Sequence, residues 1–503
     1  MNHVLHGLAA NPSLPPELID RLITVADPDL SSELAARTDL TPAQLATLAT
    51  RGDEIAVQLA YEGRLTADDI DPAVRPYAAL ALLDEGAGRQ EWTRLLAAHR
   101  TTHVREKLAA CPDLPPDVVR TLAADADIQV VAELALWTTP DTAARLARHP
   151  HAEVRRAAAA NDSTPPPVLD MLITGEGLPP AQRCLVCDRE VTPFVHERSC
   201  PRPQCELPAG AACDGSHQST VHEIQRMALL NPATPIDAAV SFADHPSMLL
   251  RSALAARSDL PPSVGAQLAK DPIPGVRADL AENPAIDDTL IRTLAADRGH
   301  DVQRRLAHNP NVPLDVLADL ARATRIGSTL LPRIAAASPQ ETAQLAASRN
   351  PVVRMLVAQR RDLPAAIRDT LAADPDAKVA KSVAPHPGLS EAHLRAMVAR
   401  HGVQVVAAVA ANPSASSTLL EEATRHQPPV RKVFRKVARH PHAPAPALLA
   451  CLTDRHARPL AAAHPNLPPA DIAQLLTDND DLVAEAAASN PSLAPAVMAE
   501  LTP

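Results

Sequence analysis

One phrase recurs through the 503-residue chain and limits what it can fold into. Val276-Arg277-Ala278-Asp279-Leu280-Ala281-Glu282-Asn283-Pro284 returns as Val302-Gln303-Arg304-Arg305-Leu306-Ala307-His308-Asn309-Pro310. It returns again at 405–413 and 483–491. A second phrase of the form Leu-Pro-Pro-x-φ-x-x-x-Leu, as in Leu260 to Leu268, alternates with it. The unit is about 26 residues long, and repetition at a fixed period of this size marks a solenoid built from stacked supersecondary units. Aligned on Leu280, the same position falls at Leu8, Leu34, Leu59, Leu108, Leu134, Ala158, Ala228, Leu254, Leu306, Ile334, Val357, Val383, Val409, Val437, Ala461 and Ala487. A degenerate copy lies around 74–82.

Each unit reads as two helices. Val276 and Leu280 stand four apart, on one face of a short helix, and Asn283-Pro284 ends it because a residue before proline is pushed out of the α region. With two turns at most, this helix is α or 3₁₀. Leu-Pro-Pro then starts a longer helix, since proline is tolerated in a first turn. In Pro16 to Ile23 its apolar stripe is Leu18, Ile19, Leu22 and Ile23. Asp-Pro closes it, as at Asp27-Pro28, Asp271-Pro272 and Asp374-Pro375. Neither helix can bury its stripe alone, so units must stack. Aromatic residues are 1% of the chain against 46% apolar, which leaves Ala, Leu and Val to build thin, closely packed layers. The 51 prolines fall at fixed places in the repeat and punctuate helices.

The pattern Val-Arg-x-x-Leu-Ala-x-Asn-Pro-x-Leu-Pro-x-x-Leu-φ-x-x-Leu-Ala-x-Asp-Pro resembles the leucine-rich repeat variant family. The resemblance covers nearly the whole chain outside about 175–223. It implies an all-α, right-handed superhelical solenoid in which an α-helix alternates with a 3₁₀ helix, and it specifies a scaffold rather than an activity. A member of that family carries an iron–sulfur centre on an N-terminal cysteine cluster. The expected organisation is a repeat array over 1–175, a cysteine-rich metal-binding module over 176–223, and a second array over 224–503.

The module holds five of the seven cysteines within thirty residues. Cys184-Leu185-Val186-Cys187 is followed by Cys200 and Cys205, then by Cys213-Asp214-Gly215-Ser216-His217 and His222. Thiolates two or three residues apart converge on one ion, and two such pairs complete a tetrahedron. The first reading is a structural zinc site on Cys184, Cys187, Cys200 and Cys205, with Cys213, His217 or His222 able to replace one ligand. The rival is a 4Fe-4S cluster on four of the cysteines. The stretch 213–217 also resembles the end of the CDGSH iron–sulfur motif, whose Cys and His are ligands. Cys111 and Cys451 sit at small-residue positions of repeats and read as core thiols.

The recurrent polar positions have structural readings. The Asn of Asn-Pro (Asn11, Asn161, Asn231, Asn283, Asn309, Asn412, Asn490) suits a capping ladder, with His386, His440 and His464 in its place in three repeats. The Arg after Val is expected to pair with the Asp of the preceding Asp-Pro turn, Arg277 with Asp271. Lys432, Arg435, Lys436 and Arg439 share one helical face, by default a solvated one and in the functional reading a docking patch for an acidic partner. A net charge of −11 argues against a general nucleic-acid binder or a membrane-surface protein. No apolar run is long enough to span a membrane, and no signal peptide is visible, so a cytoplasmic location is expected. No nucleophile triad, phosphate loop or carboxylate pair stands out, and no catalytic residue is assigned. The sequence therefore favours a non-enzymatic scaffold for a protein or peptide partner with a structural zinc. An iron–sulfur redox or sensing protein and a nucleic-acid-binding solenoid are the alternatives.

Overall fold

The computed structural model describes residues 2–179, 181–189, 211, 217–324, 326–327 and 329–503. Among them every regular element is helical, apart from a single bridge between His151 and Arg183. The repeat register holds throughout: Leu280 and its sixteen counterparts are each no more than 1% exposed. Leu82, in the degenerate copy, is also buried.

In a typical unit the first helix is Pro274–Glu282 and the second Asp288–Ala295. They are close in length, at 9 and 8 residues, because Pro274 sits at the first helical position and starts its helix two residues before Val276. The second helix is capped by the Asp287 carboxylate, which accepts the Leu290 N–H at 2.8 Å. Pure 3₁₀ turns occur at Val240–Asp244 and Gly402–Gln404.

The chain divides into two compact units, one made of 1–55 with 321–503 and the other of 56–320. In each, a side-chain ladder ties successive repeats. Asn283 donates from Nδ2 to the carbonyls of Ala255 and Arg257, and its Oδ1 accepts the Ala285 N–H. Asn309 does the same one repeat on, reaching Ala281 and Asn283. These asparagines are buried, so every bond replaces water that the turn carbonyls have lost. Three rungs are arginine instead. Arg257 donates to the carbonyls of Leu229, Asn231 and Thr234, and its charge is balanced by Asp259 two residues later. Arg37 with Asp39 and Arg360 with Asp362 repeat the device.

The Arg that follows Val pairs forward, not backward. Arg277 meets the carboxylate of Asp297 at 2.6 Å, twenty residues downstream, as Arg251 meets Asp271 and Arg354 meets Asp374. The expected Arg277–Asp271 pair is therefore corrected: Arg277 reaches only the Asp271 backbone carbonyl. The reason is local. The Asp271 carboxylate folds over its own turn to accept the Ile273 N–H, and Arg251 takes its other oxygen.

The 1–55 and 321–503 unit has a seam between distant parts of the chain. Helix Asn2–Ala10 packs against Asp481–Ala488 as one repeat packs on the next. Asn11 donates to the carbonyls of Ala488 and Asn490, both at 2.8 Å, in the ladder pattern. His3 lies beside Asp481 and Glu485, and Arg21 bonds the carbonyls of Thr502 and Pro503.

Histidine replaces asparagine at three rungs of this unit. His440 and His464 donate from Nε2 to the Asn412 and His440 carbonyls. His386 is 1% exposed, yet neither ring nitrogen meets hydrogen-bond geometry. Burial, with Arg361 and Arg368 nearby, lowers its pKa to about 4. An unfolded histidine titrates near ~6.5, so between the two values the unfolded chain binds more protons. His386 should thus cost nothing above about pH 6.5 and destabilise progressively as pH falls toward 4, by on the order of 1–3 kcal/mol. His386→Asn, which restores the common rung, should flatten the melting temperature over that window. An unchanged pH profile would show that the loss arises elsewhere.

Candidate metal centre

The middle of the 56–320 unit carries a docked cysteine knuckle. Helix Pro166–Thr174 ends on Gly175 in the left-handed conformation that glycine favours, and the chain turns back along the preceding repeat. The Gln182 N–H donates to the Pro150 carbonyl and the Ala152 N–H to that of Arg183, forming the His151–Arg183 bridge. Arg155, buried in helix Ala152–Ala160, reaches the Pro179 carbonyl at 2.8 Å. Asp188 then pairs with His151 at 2.9 Å and with Arg183 at 3.0 Å. These contacts fix one short turn, Leu185–Asp188, against the repeat.

Cys184 and Cys187 flank that turn and are buried with Ala152 and Ala181, with Ile224 packed beside them. Their sulfurs are 3.6 Å apart. His217 stands at the start of helix Gln218–Leu230, its Nδ1 3.4 Å from the Cys184 sulfur and 3.6 Å from that of Cys187. Cys184, Cys187 and His217 are a set able to hold one ion. For tetrahedral zinc, with bonds of about 2.3 Å to sulfur and 2.0–2.1 Å to nitrogen, the ligand-to-ligand edges are roughly 3.5–3.8 Å. The three donors fit that triangle. Burial pushes the Cys184 thiol up, but the Cys187 N–H, the Thr220 hydroxyl, the Cys187 thiol and the Val186 N–H outweigh it and bring the pKa down to about 7. Those donors favour the thiolate, the form that binds metal.

Cys200, Cys205 and Cys213 lie outside the described residues. His222, also expected as a substitute ligand, has its ring 5.6 Å from that of His245, and among the described residues its buried Nε2 makes no hydrogen bond. Cys111 and Cys451 are buried free thiols pushed up to about 12 by desolvation, as core cysteines should be. Lys432, Arg435, Lys436 and Arg439 are all exposed, on helix Arg431–Val437 and just past its end.

The knuckle's long connection does not interrupt the stack. Helix Gln218–Leu230 packs on Ala152–Ala160, and Asn231 donates to the carbonyls of Ala159 and Asn161, some seventy residues earlier, with the geometry of an ordinary rung. The sequence offered no sign that the repeats before and after the cysteines are neighbours.

No family model matches the chain, and no curated protein matches it. Among solved structures, a chain in the structure of the Pds5–Scc1 complex, described with its implications for cohesin function, aligns at 12% identity with a TM-score of 0.14. The alignment covers 94% of this chain and 61% of the other, so the chain spans less than two thirds of that protein's length. No helix among the described residues is long and apolar enough to cross a membrane.

Proposed function

We propose that this protein is a non-catalytic helical-repeat scaffold for a protein or peptide partner, with one zinc ion clipping the base of the cysteine segment. The observation that carries the metal reading is the triangle of Cys184, Cys187 and His217, with edges of 3.4–3.6 Å. It favours a single ion over an iron–sulfur cluster. An iron of such a cluster spends its other positions on sulfide and takes at most two protein ligands, whereas here three donors surround one point. Cys200, Cys205 and Cys213, outside the described residues, are the thiols that the sequence offers for a fourth ligand. Bound there, zinc supplies a crosslink rather than an open Lewis-acid position. The protein's own residues do the rest: Thr220 and two amide N–H groups hold the Cys184 thiolate, and His151 and Arg183 hold the turn through Asp188. The scaffold reading rests on the repeat stack itself, which presents long rows of equivalent side chains on one face. Exposed rows without a nucleophile–base pair suit recognition. Cysteines that bind a metal as thiolates suit a reducing compartment such as the cytoplasm.

The test is elemental analysis with an optical spectrum on protein purified without air. One zinc per chain and no visible absorbance are expected. Cys184→Ser with Cys187→Ser, or a strong chelator, should remove the zinc and increase hydrogen exchange over 150–160 and 218–231. Zinc binding contributes on the order of 10 kcal/mol to folding in isolated finger peptides, and a docked knuckle should lose a few of these. Iron with acid-labile sulfide would replace this reading with the redox or sensing one. Metal content unaffected by the double substitution would remove these cysteines from the ligand set.

A further inference from the structure

Within the 1–55 and 321–503 unit, four successive first helices carry no acidic residue. They are Ala377–Val383, the Gly402–Gln404 turn with Val406–Val409, Arg431–Val437 and Arg458–Ala462. The ladder rungs His386, Asn412, His440 and His464 follow them in order and bond each to the one before, from Asn412 onward. Equivalent positions therefore line up across repeats. Lys378 occupies the place of Lys432, five residues before the buried alignment position, and Lys381 that of Arg435, two residues before it. Lys378, Lys381, Lys432, Arg435, Lys436 and Arg439 are all exposed. Among the described residues none of the six forms an ion pair, although most arginines of the repeats do. Between the basic repeats, Gln404, Ala407 and Ala408 leave the face open and uncharged. Elsewhere the first of these positions holds neither lysine nor arginine, and where the second is arginine, at Arg156, Arg226 and Arg304, it pairs with the acid three residues earlier, Glu153, Glu223 and Asp301. Asp376, which caps Lys378 at the edge of the row, is the nearest carboxylate in sequence.

We infer that this row is the docking face for an acidic polypeptide segment, a refinement that rests on the scaffold reading above. Six unpaired cations of one sign in a chain of net charge −11 are placed against the overall balance, and they remain hydrated until a partner supplies carboxylates. The alanines between them let an extended backbone lie close. No exposed aromatic ring lies on these helices for bases to stack on, and the net charge repels a long polyanion at a distance, so a peptide fits better than a nucleic acid.

The experiment uses the full chain and a fluorescein-labelled oligoglutamate peptide, with an oligothymidylate of equal charge as comparator, at low salt and at about 0.15 M. The peptide should bind with an affinity that falls as salt rises. K432E/R435E/K436E/R439E should weaken it by about tenfold or more, and K378E/K381E, two repeats away, by a smaller factor. The substituted side chains are exposed, so far-UV circular dichroism should not change; the four Gln substitutions serve should the reversal impair folding. Peptide binding that is absent at low salt, or insensitive to the reversal, overturns the proposal. Tighter binding of the oligothymidylate overturns it in favour of nucleic acid. Zinc content is measured on the same samples: a parent protein that binds the peptide but carries no zinc would sink the metal reading and leave this one standing.

Discussion

Leu280→Asp is expected to abolish the cooperative melt of the 56–320 unit. Leu280 is fully buried, and its helix, Pro274–Glu282, packs on both Met248–Ala255 and His300–Leu306. Removing a buried leucine side chain costs about 2–5 kcal/mol, and a carboxylate left there without a partner adds several more or must be protonated. Domains are stable by only about 5–15 kcal/mol, so the loss is of the same size as the whole. In a stacked array the damage spreads, because each repeat relies on its neighbours for half of its burial. Leu249→Asp is the matched control: Leu249 is 51% exposed, and its change should stay within about 0.5 kcal/mol. Circular dichroism melts of the two variants beside the parent make the comparison. A parental melt for Leu280→Asp would refute the repeat register.

Gly7→Ala should open the seam between Asn2–Ala10 and Asp481–Ala488. A Cβ at Gly7 would stand 2.1 Å from the Glu485 carbonyl oxygen and 2.7 Å from the Ala488 Cβ. Both belong to a helix that cannot yield without shifting its own backbone. Overpacking of this kind costs about 1–3 kcal/mol where side chains can adjust, and more against backbone. The Asn11 bonds to Ala488 and Asn490 would go with it. Hydrogen exchange should rise over 2–10 and 481–488 and stay parental in the 56–320 unit. Gly265→Ala offers contrast, since its new methyl would crowd the movable end of Leu290, at 2.8 Å, and otherwise lie in ordinary contact with the Leu260 side chain at 3.8 Å. Parental protection at both helices in Gly7→Ala would mean that the seam is not the tight contact described.

The alignment on Leu280 carried the core because period and burial are the same fact: a position buried in one stacked unit is buried in all. The asparagine ladder followed for the same reason. The arginine rungs were missed because Arg37, Arg257 and Arg360 look like surface residues. Their signature was present, since Arg257 lies 26 residues before Asn283 and an Asp follows two residues later in each case. The direction of Arg277 was misread because spacing alone does not say which way a carboxylate turns. At the cysteines, Cys184 and Cys187 were legible from their spacing, whereas His217 depended on where the next repeat begins. The seam was hidden because repeats resemble one another, so nothing in the pattern says which two meet. Gly7 was the one clue: among the seventeen aligned copies, it alone puts glycine just before the alignment position.

That seam has a kinetic consequence. During synthesis the helix Asn2–Ala10 emerges hundreds of residues ahead of Asp481–Ala488, the surface it packs on. At about 5–20 residues per second the wait is roughly 25–100 s. Through that interval Leu8 and Ala9, fully buried at the end, have at most half of their final partners. That repeat is thus made long before it is completed, and until 481–488 is synthesised the nascent chain offers a sticky apolar edge to chaperones, or to neighbouring chains on the same message.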